Sequence, residues 1–326
     1  MNSFRTEISI QQELNITHQN KMMMFGSCFT ENIGQKLIDH FFPVSCNPLG
    51  ILFNPISIQQ AIHRIIHNQK VKAEELFESD GVLNSFDFHS QFARLSKDEY
   101  LSNINSIIET AHLHLVSCDY IFITLGTSWI YEEIESNKVV ANCHKVSPEH
   151  FNRRRISVSE CSNVLVSILQ ELKAIKENIK IIFTVSPIRH WKDGAHGNQL
   201  SKSILLLSID NICNNYSDCY YFPSYEIMMD DLRDYRFYAD DMLHPSEQAQ
   251  NYIWKRFEEC YFSDNTQQLN HKIEQIMLAL QHRPFNPESK GYQQFKEKTI
   301  GSIKQLQEEY PFLPLDKAFS AITQIN

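Results

Sequence analysis

The chain of 326 residues, 42% hydrophobic and 21% charged, is long and apolar enough to bury the core of one large domain with an appendage. A net charge of −9 excludes a general nucleic-acid binder, because phosphate contact needs a basic surface. No apolar run approaches the roughly 20 residues needed to span a bilayer, so no membrane partner is expected.

In chain order, residues 22–25 predict a short buried strand and 31–42 a helix. Residues 44–46 predict a second strand. Residues 55–68 carry Ile58, Ala61, Ile62 and Ile65 at helical spacing. Residues 74–92 are polar with scattered aromatics and show no period. A helix is expected over 97–116, then a strand over 118–125 that ends at Gly126. Residues 130–133 and 137–141 read as a hairpin inserted after it. Residues 157–178 predict a helix capped by Ser157 or Ser159, 179–185 a strand closed by Ser186-Pro187, and 199–215 a helix. A strand over 219–222, closed by Pro223, and a helix over 246–260 follow. The acid–base alternation of residues 225–236 reads as a solvated, salt-bridged segment.

Strands alternating with helices predict an α/β fold: a mostly parallel sheet covered on both faces, a three-layer α/β/α sandwich with ligands at the carboxyl ends of its strands. Beyond residue 262 the pattern changes to two amphipathic helices, 267–281 and 292–309, separated by Pro284, Pro287 and Gly291. The expected division is a domain over 1–262 and a helical extension over 263–326, which packs on the core or on a second copy in a homo-oligomer.

The eight cysteines show no C-x-x-C pair, and no H-E-x-x-H occurs, so no metal or cofactor is expected. Residues 1–14 are polar and mixed in charge, unlike a signal peptide, which gives a cytoplasmic expectation with reduced thiols.

Two segments carry chemistry. Phe25-Gly26-Ser27-Cys28-Phe29 sets a Gly-Ser step between a strand and a helix, which places a hydroxyl at the carboxyl edge of a sheet beside free N–H groups. Cys28 is a competing nucleophile, but side chains diverge on a sharp turn, and Met24 and Phe29 beside it assign Cys28 to the core. Asp241-Met242-Leu243-His244-Pro245-Ser246 offers an acid and an imidazole three residues apart, so the carboxylate can orient one ring nitrogen while the other takes a hydroxyl proton. Ser27, Asp241 and His244 are the expected catalytic residues. Both segments also read as helix caps.

Together these segments resemble the GDSL/SGNH hydrolase superfamily. Within it, Gly26-Ser27-Cys28-Phe29-Thr30 is similar to the motif that names the GSCFA family, with Thr30 where that motif has Ala. Asn47-Pro48-Leu49-Gly50, Thr124-Leu125-Gly126-Thr127-Ser128-Trp129, Ser186-Pro187-Ile188-Arg189-His190 and Asp241-Met242-Leu243-His244-Pro245 extend the likeness over residues 20–262. The resemblance implies a flavodoxin-like SGNH fold and an oxyanion hole built from the N–H groups of Ser27 and Gly50. The superfamily's third donor is an Asn in Gly-x-Asn-Asp. Ser128 stands at that place here, with Asn142 or Asn54 as substitutes and Trp129 as an apolar wall. His144 on the loop after the hairpin, and Arg189 and Trp191 after a strand end, are substrate-binding candidates. His190 lacks an acid at the useful offset and is the weaker base.

The reading is a serine esterase that cleaves a small acyl ester, acetyl on a carbohydrate by superfamily analogy, through an acyl-enzyme. The rivals are acyl transfer on the same triad and a non-catalytic carbohydrate-binding protein on a degenerate scaffold.

Overall fold

The computed structural model describes residues 6–283, 285–316 and 319. Its elements run β1 (Met22–Gly26), α1 (Cys28–Asp39), β2 (Val44–Cys46), α2 (Pro55–Ile66), β3 (Phe77–Ser79), β4 (Val82–Asn84), α3 (Lys97–Leu115), β5 (Tyr120–Leu125), β6 (Trp129–Glu133), β7 (Lys138–Val140) and β8 (Phe151–Arg155). There follow α4 (Val158–Ile175), β9 (Lys180–Val185), α5 (Gly194–Asn215), β10 (Cys219–Phe222), α6 (Ser224–Glu226), α7 (Glu247–Tyr261), α8 (Asp264–Gln281) and α9 (Lys290–Glu309).

Five strands form one parallel sheet in the order β10-β9-β5-β1-β2. Numbered by appearance within that sheet the order is 2-1-3-4-5, the flavodoxin-like arrangement, whose switch point lies between the first and third strands, here β1 and β5. The alternation of side chains along β1 explains the two covered faces. Met23 and Phe25 join Ile121, Ile123, Ile181 and Phe183 beneath α2–α5. Met22 and Met24 join Phe122, Ile182 and Phe222 beneath α1 and α7. With both faces covered, these strands read as continuous apolar runs rather than alternating ones.

The helix starts follow from their caps. Ser27, Asn54, Ser96, Ser157, Ser246, Ser263 and Ser289 each accept a backbone N–H of the first turn, and Pro55 follows Asn54 at the first helical position.

Three expectations are corrected. Residues 74–92 contain the β3–β4 hairpin, whose three-residue strands are too short to show a period. The insertion after β5 is a three-stranded sheet, β7-β6-β8, rather than a hairpin. Its third strand, Phe-Asn-Arg-Arg-Arg, is held by polar pairing: Arg154 bridges Glu132 and Glu160 at 2.8 Å each. Residues 225–232 are not solvated, because Tyr225, Ile227, Met228, Asp231 and Leu232 are all buried, whereas 233–236 are exposed and carry the expected ion pairs, Arg233 to Asp230 and Arg236 to Asp234.

The extension packs α8 against α9 through Leu269, Ile273, Ile303 and Leu306. A contact of 3.1 Å between His40 Nε2 and Glu274 Oε1 joins α8 to the end of α1. Of the stretch read as this extension, residues 284, 317, 318 and 320–326 lie outside the described residues, as do residues 1–5 at the other end. Among the described residues no helix is long and apolar enough to cross a membrane.

Candidate active site

The site begins where β1 turns into α1. Gly26 has φ +147°, and a Cβ there would lie 2.4 Å from Thr124 O and 2.7 Å from Thr124 Cβ. Only glycine fits that backbone. Gly26→Ala is expected to cost on the order of 1–3 kcal/mol in thermal or urea unfolding, and an unchanged midpoint would refute the strain assigned to this turn.

Ser27 follows as the α1 N-cap. Its Oγ accepts the Phe29 N–H at 3.3 Å, its carbonyl accepts the Thr30 N–H at 2.8 Å, and the residue is 2% exposed. Cys28 is the first residue of α1. It is half-buried, and its Sγ lies 3.8 Å from His244 Nε2. Cys28 packs against the core as expected but at its margin, and the thiol, not the neighbouring hydroxyl, makes the contact with the imidazole. Burial pushes the Cys28 thiol up, and the N–H groups of Phe29 and of Cys28 itself work against that rise.

The imidazole is oriented as the Asp-x-x-His spacing predicts. His244 Nδ1 lies 2.5 Å from Asp241 Oδ2, while Asp241 Oδ1 accepts the N–H groups of Leu243 and His244 at 2.9 Å each. Those two backbone bonds, His244 first, and then the imidazole hold the carboxyl down to about 2. The loop is closed by Ala239 N–H to His244 O at 2.8 Å and Ser246 N–H to Phe237 O at 2.8 Å. The side chains of His244 and Asp241 are 50% and 47% exposed, so solvent reaches the dyad.

At the ends of β5 and β9 lies a group that sequence reasoning missed. Lys202 on α5 is wholly buried and donates to Gly126 O at 2.7 Å and Ser186 O at 2.8 Å, the carbonyls just past the ends of β5 and β9. Burial, with Arg189 adding to it and Cys28 opposing, brings its ammonium down to about 7. Burial first, then Lys202, brings His190 down to about 4, so its imidazole is neutral near pH 7. The His190 backbone N–H donates to Asn198 Oδ1 at 2.9 Å. One signal for Lys202 was legible: it shares a helical face with Leu205, Ile209 and Ile212, all buried.

Arg189 and Trp191 line an open cleft of about 470 Å³ together with Tyr235, Tyr238, Asp241 and Leu243. Other expected residues are engaged elsewhere. The Gly50 N–H, expected in the oxyanion hole, closes its own turn by donating to Asn47 O at 2.8 Å. The Ser128 hydroxyl is wholly buried against Ser201 Oγ at 3.1 Å, and Ser201 Oγ also accepts the Ser128 N–H at 2.8 Å. Asn54 caps α2, with Oδ1 accepting the Ser57 N–H at 2.9 Å. Asn142 Oδ1 accepts the His144 N–H at 2.8 Å, and His144 Nε2 contacts Ser85 O at 2.8 Å. Trp129 is covered by the Arg153 guanidinium, 4.1 Å from its ring centroid, so it is not an open apolar wall. Near the turn, Asn47 accepts the Gly26 N–H on Oδ1 at 2.9 Å and buries its Nδ2 without a protein acceptor among the described residues.

Among the described residues one group has metal-ligating character, namely His63 and His67 of α2 with Glu171 of α4, all ligand atoms within 4.8 Å of one another. His63 Nδ1 already contacts Glu171 Oε2 at 2.7 Å, and none of the three lines the cleft beside Asp241.

The sequence model described as the GSCFA family matches residues 21–257, and one described as the GSCFA domain protein, C-terminal domain, matches residues 273–325. No curated protein matches. Among solved structures, an acetyl xylan esterase from the rumen bacterium Butyrivibrio proteoclasticus is similar at 10% identity and a TM-score of 0.37, over 76% of this chain and 64% of that one. The chain thus spans less than two thirds of that protein's length.

Proposed function

Because the chain belongs to the GSCFA family, with the dyad and the β1–α1 turn both inside the matched residues, we propose that it is an acyl-ester hydrolase of the GDSL/SGNH type. Its general base is His244, held by Asp241, and its nucleophile comes from the Ser27-Cys28 turn. The observation that carries this reading is the continuous line from Asp241 Oδ2 to His244 Nδ1 at 2.5 Å and from His244 Nε2 to the turn at 3.8 Å. A base within reach of a nucleophile, itself steered by a carboxylate, is the arrangement that acyl transfer through a covalent intermediate needs.

Hydrolysis is favoured over transfer to an alcohol by the half-exposed dyad, since water is the acceptor in excess wherever it is not excluded. An acylated carbohydrate suits the cleft. Trp191 and Tyr235 are 53% and 76% exposed, and their faces offer flat apolar surface in the cleft that Arg189 and Asp241 also line. With Gly50 turned inward and the Phe29 and Thr30 N–H groups held by Ser27, the Cys28 N–H and the Asn47 amide beside the turn are the donors left to hold the oxyanion. On this reading the hydrolase unit is 1–262 and residues 263–326 are an extension.

The test is turnover of p-nitrophenyl acetate and short acyl esters of sugars by the full chain, with an added alcohol to measure partition. Turnover with free acid as the main product is expected. No turnover of any short ester by the folded chain would refute an ester hydrolase, and a dominant alcohol ester product would assign transfer instead.

A further inference from the structure

The molecule holds two nucleophilic side chains side by side, and they have different surroundings. The Ser27 hydroxyl lies within the α1 cap, 2% exposed and engaged by the Phe29 N–H. The Cys28 thiol is half-buried and points to the imidazole edge. His244 has two ring nitrogens, and both are accounted for: Nδ1 meets Asp241 at 2.5 Å and Nε2 meets Cys28 Sγ at 3.8 Å. Sulfur's larger radius makes 3.8 Å a contact distance, where an oxygen would have to come nearer 3 Å.

We infer that the nucleophile of this site is the thiol of Cys28, and that Ser27 is a positioning residue that caps α1 and fixes the direction of the Cys28 side chain. The inference rests on the acyl-ester reading above and specifies its intermediate as a thioester.

The surroundings fit a thiol that needs a base. Burial keeps the resting group protonated, unlike the pre-formed thiolate of a cysteine beside a strong positive charge. The attack therefore proceeds as general-base catalysis. Sγ bonds to the ester carbonyl carbon as its proton passes to His244 Nε2 and the carbonyl electron pair moves onto oxygen. Collapse breaks the bond between the acyl carbon and the alcohol oxygen, which takes the proton from Nε2. The alcohol leaves, and the acyl group remains on sulfur. Water then gives a proton to Nε2 as its oxygen bonds to the acyl carbon. The carbon–sulfur bond breaks, sulfur recovers the proton, and the acid departs. No oxidant, metal or second substrate enters the balance.

Acid-quenched wild-type chain from a p-nitrophenyl acetate reaction, mapped by mass spectrometry, tests the assignment without any variant. One acetyl group on Cys28, released by neutral hydroxylamine as thioesters are, is the expected result. The adduct should vanish in Cys28→Ala and persist in Ser27→Ala. Alkylation of Cys28 by iodoacetamide at neutral pH should slow about tenfold or more in His244→Ala. A hydroxylamine-resistant acetyl group on Ser27 would overturn the cysteine assignment and leave the ester-hydrolase reading intact. Neither adduct nor turnover in the folded chain would overturn both. Alkylation of Cys28 that is indifferent to His244 would overturn the Cys28–His244 coupling even if ester turnover survived.

Discussion

Alanine at His244 is expected to lower kcat/KM for p-nitrophenyl acetate by roughly 10²–10⁴-fold, with little change in the thermal midpoint. The size of the loss follows from what the imidazole does. Burial holds the Cys28 thiol in its protonated form, so without a base the fraction able to attack is small. The small stability effect follows from exposure, because the His244 side chain is half in solvent and its loop is closed by backbone hydrogen bonds that alanine keeps. Asp241→Asn should act in the same direction. The carboxylate, held down to about 2, is ionised throughout the working range, so the change removes a constant charge and the partner of Nδ1 rather than a titrating group. Imidazole added to the His244→Ala chain should restore part of the rate, since the His244 side chain is half exposed and its place is open to solvent. Wild-type kcat/KM in His244→Ala would remove His244 from the chemistry altogether.

The frame of this site was legible in the sequence because buried parallel strands leave a signal that needs no partner to interpret. Residues 118–125 and 179–185 are apolar without alternation, and β5 and β9 lie within them at the centre of the sheet. The Asp241–His244 offset was equally local, three residues in one turn. What failed was whatever depends on direction or on contact. Whether Ser27 or Cys28 faces the imidazole is set by the φ of +147° at Gly26 and by the cap that follows, neither of which has a sequence period. Gly50 was placed in the cleft by likeness, yet its φ of +86°, with a Cβ there destined to meet His89 Cβ at 2.3 Å, belongs to a turn whose N–H closes on Asn47. The strand β8, with three arginines, left no strand signal because its pairing is electrostatic and cation–π, through Glu132, Glu160 and Trp129. The helix α5 begins at Gly194, earlier than the expected residue 199, because glycines at 194 and 197 lower helix propensity where tertiary contacts decide the start.

Replacing Lys202 by methionine is expected to destabilise the chain by roughly 2–5 kcal/mol in urea unfolding at pH 8, because two buried carbonyls, Gly126 O and Ser186 O, lose their donor. Methionine keeps much of the stem's volume, so the loss reports the amino group and its two hydrogen bonds rather than a cavity. The same variant tests the charge. The folded-state value of about 7 lies below the ordinary 10.5 of lysine. Between those two values the unfolded chain holds a proton that the folded chain has released. Stability contributed by Lys202 therefore rises with pH across that window, by at most about 1.4 kcal/mol per pH unit, and below about pH 7 the cost of burying the cation is present in full. The difference in unfolding free energy between wild type and Lys202→Met should accordingly grow from pH 7 to 9. Arg189 and His190 hold nearby positive charge or gain it on acidification, and Cys28 opposes them, so the slope is read as a difference between chains rather than from wild type alone. A flat or falling difference would mean that the ammonium stays charged in the fold. A loss under about 1 kcal/mol would mean that the two carbonyls find other donors. Either result would undo the role assigned to Lys202, which joins the ends of β5 and β9.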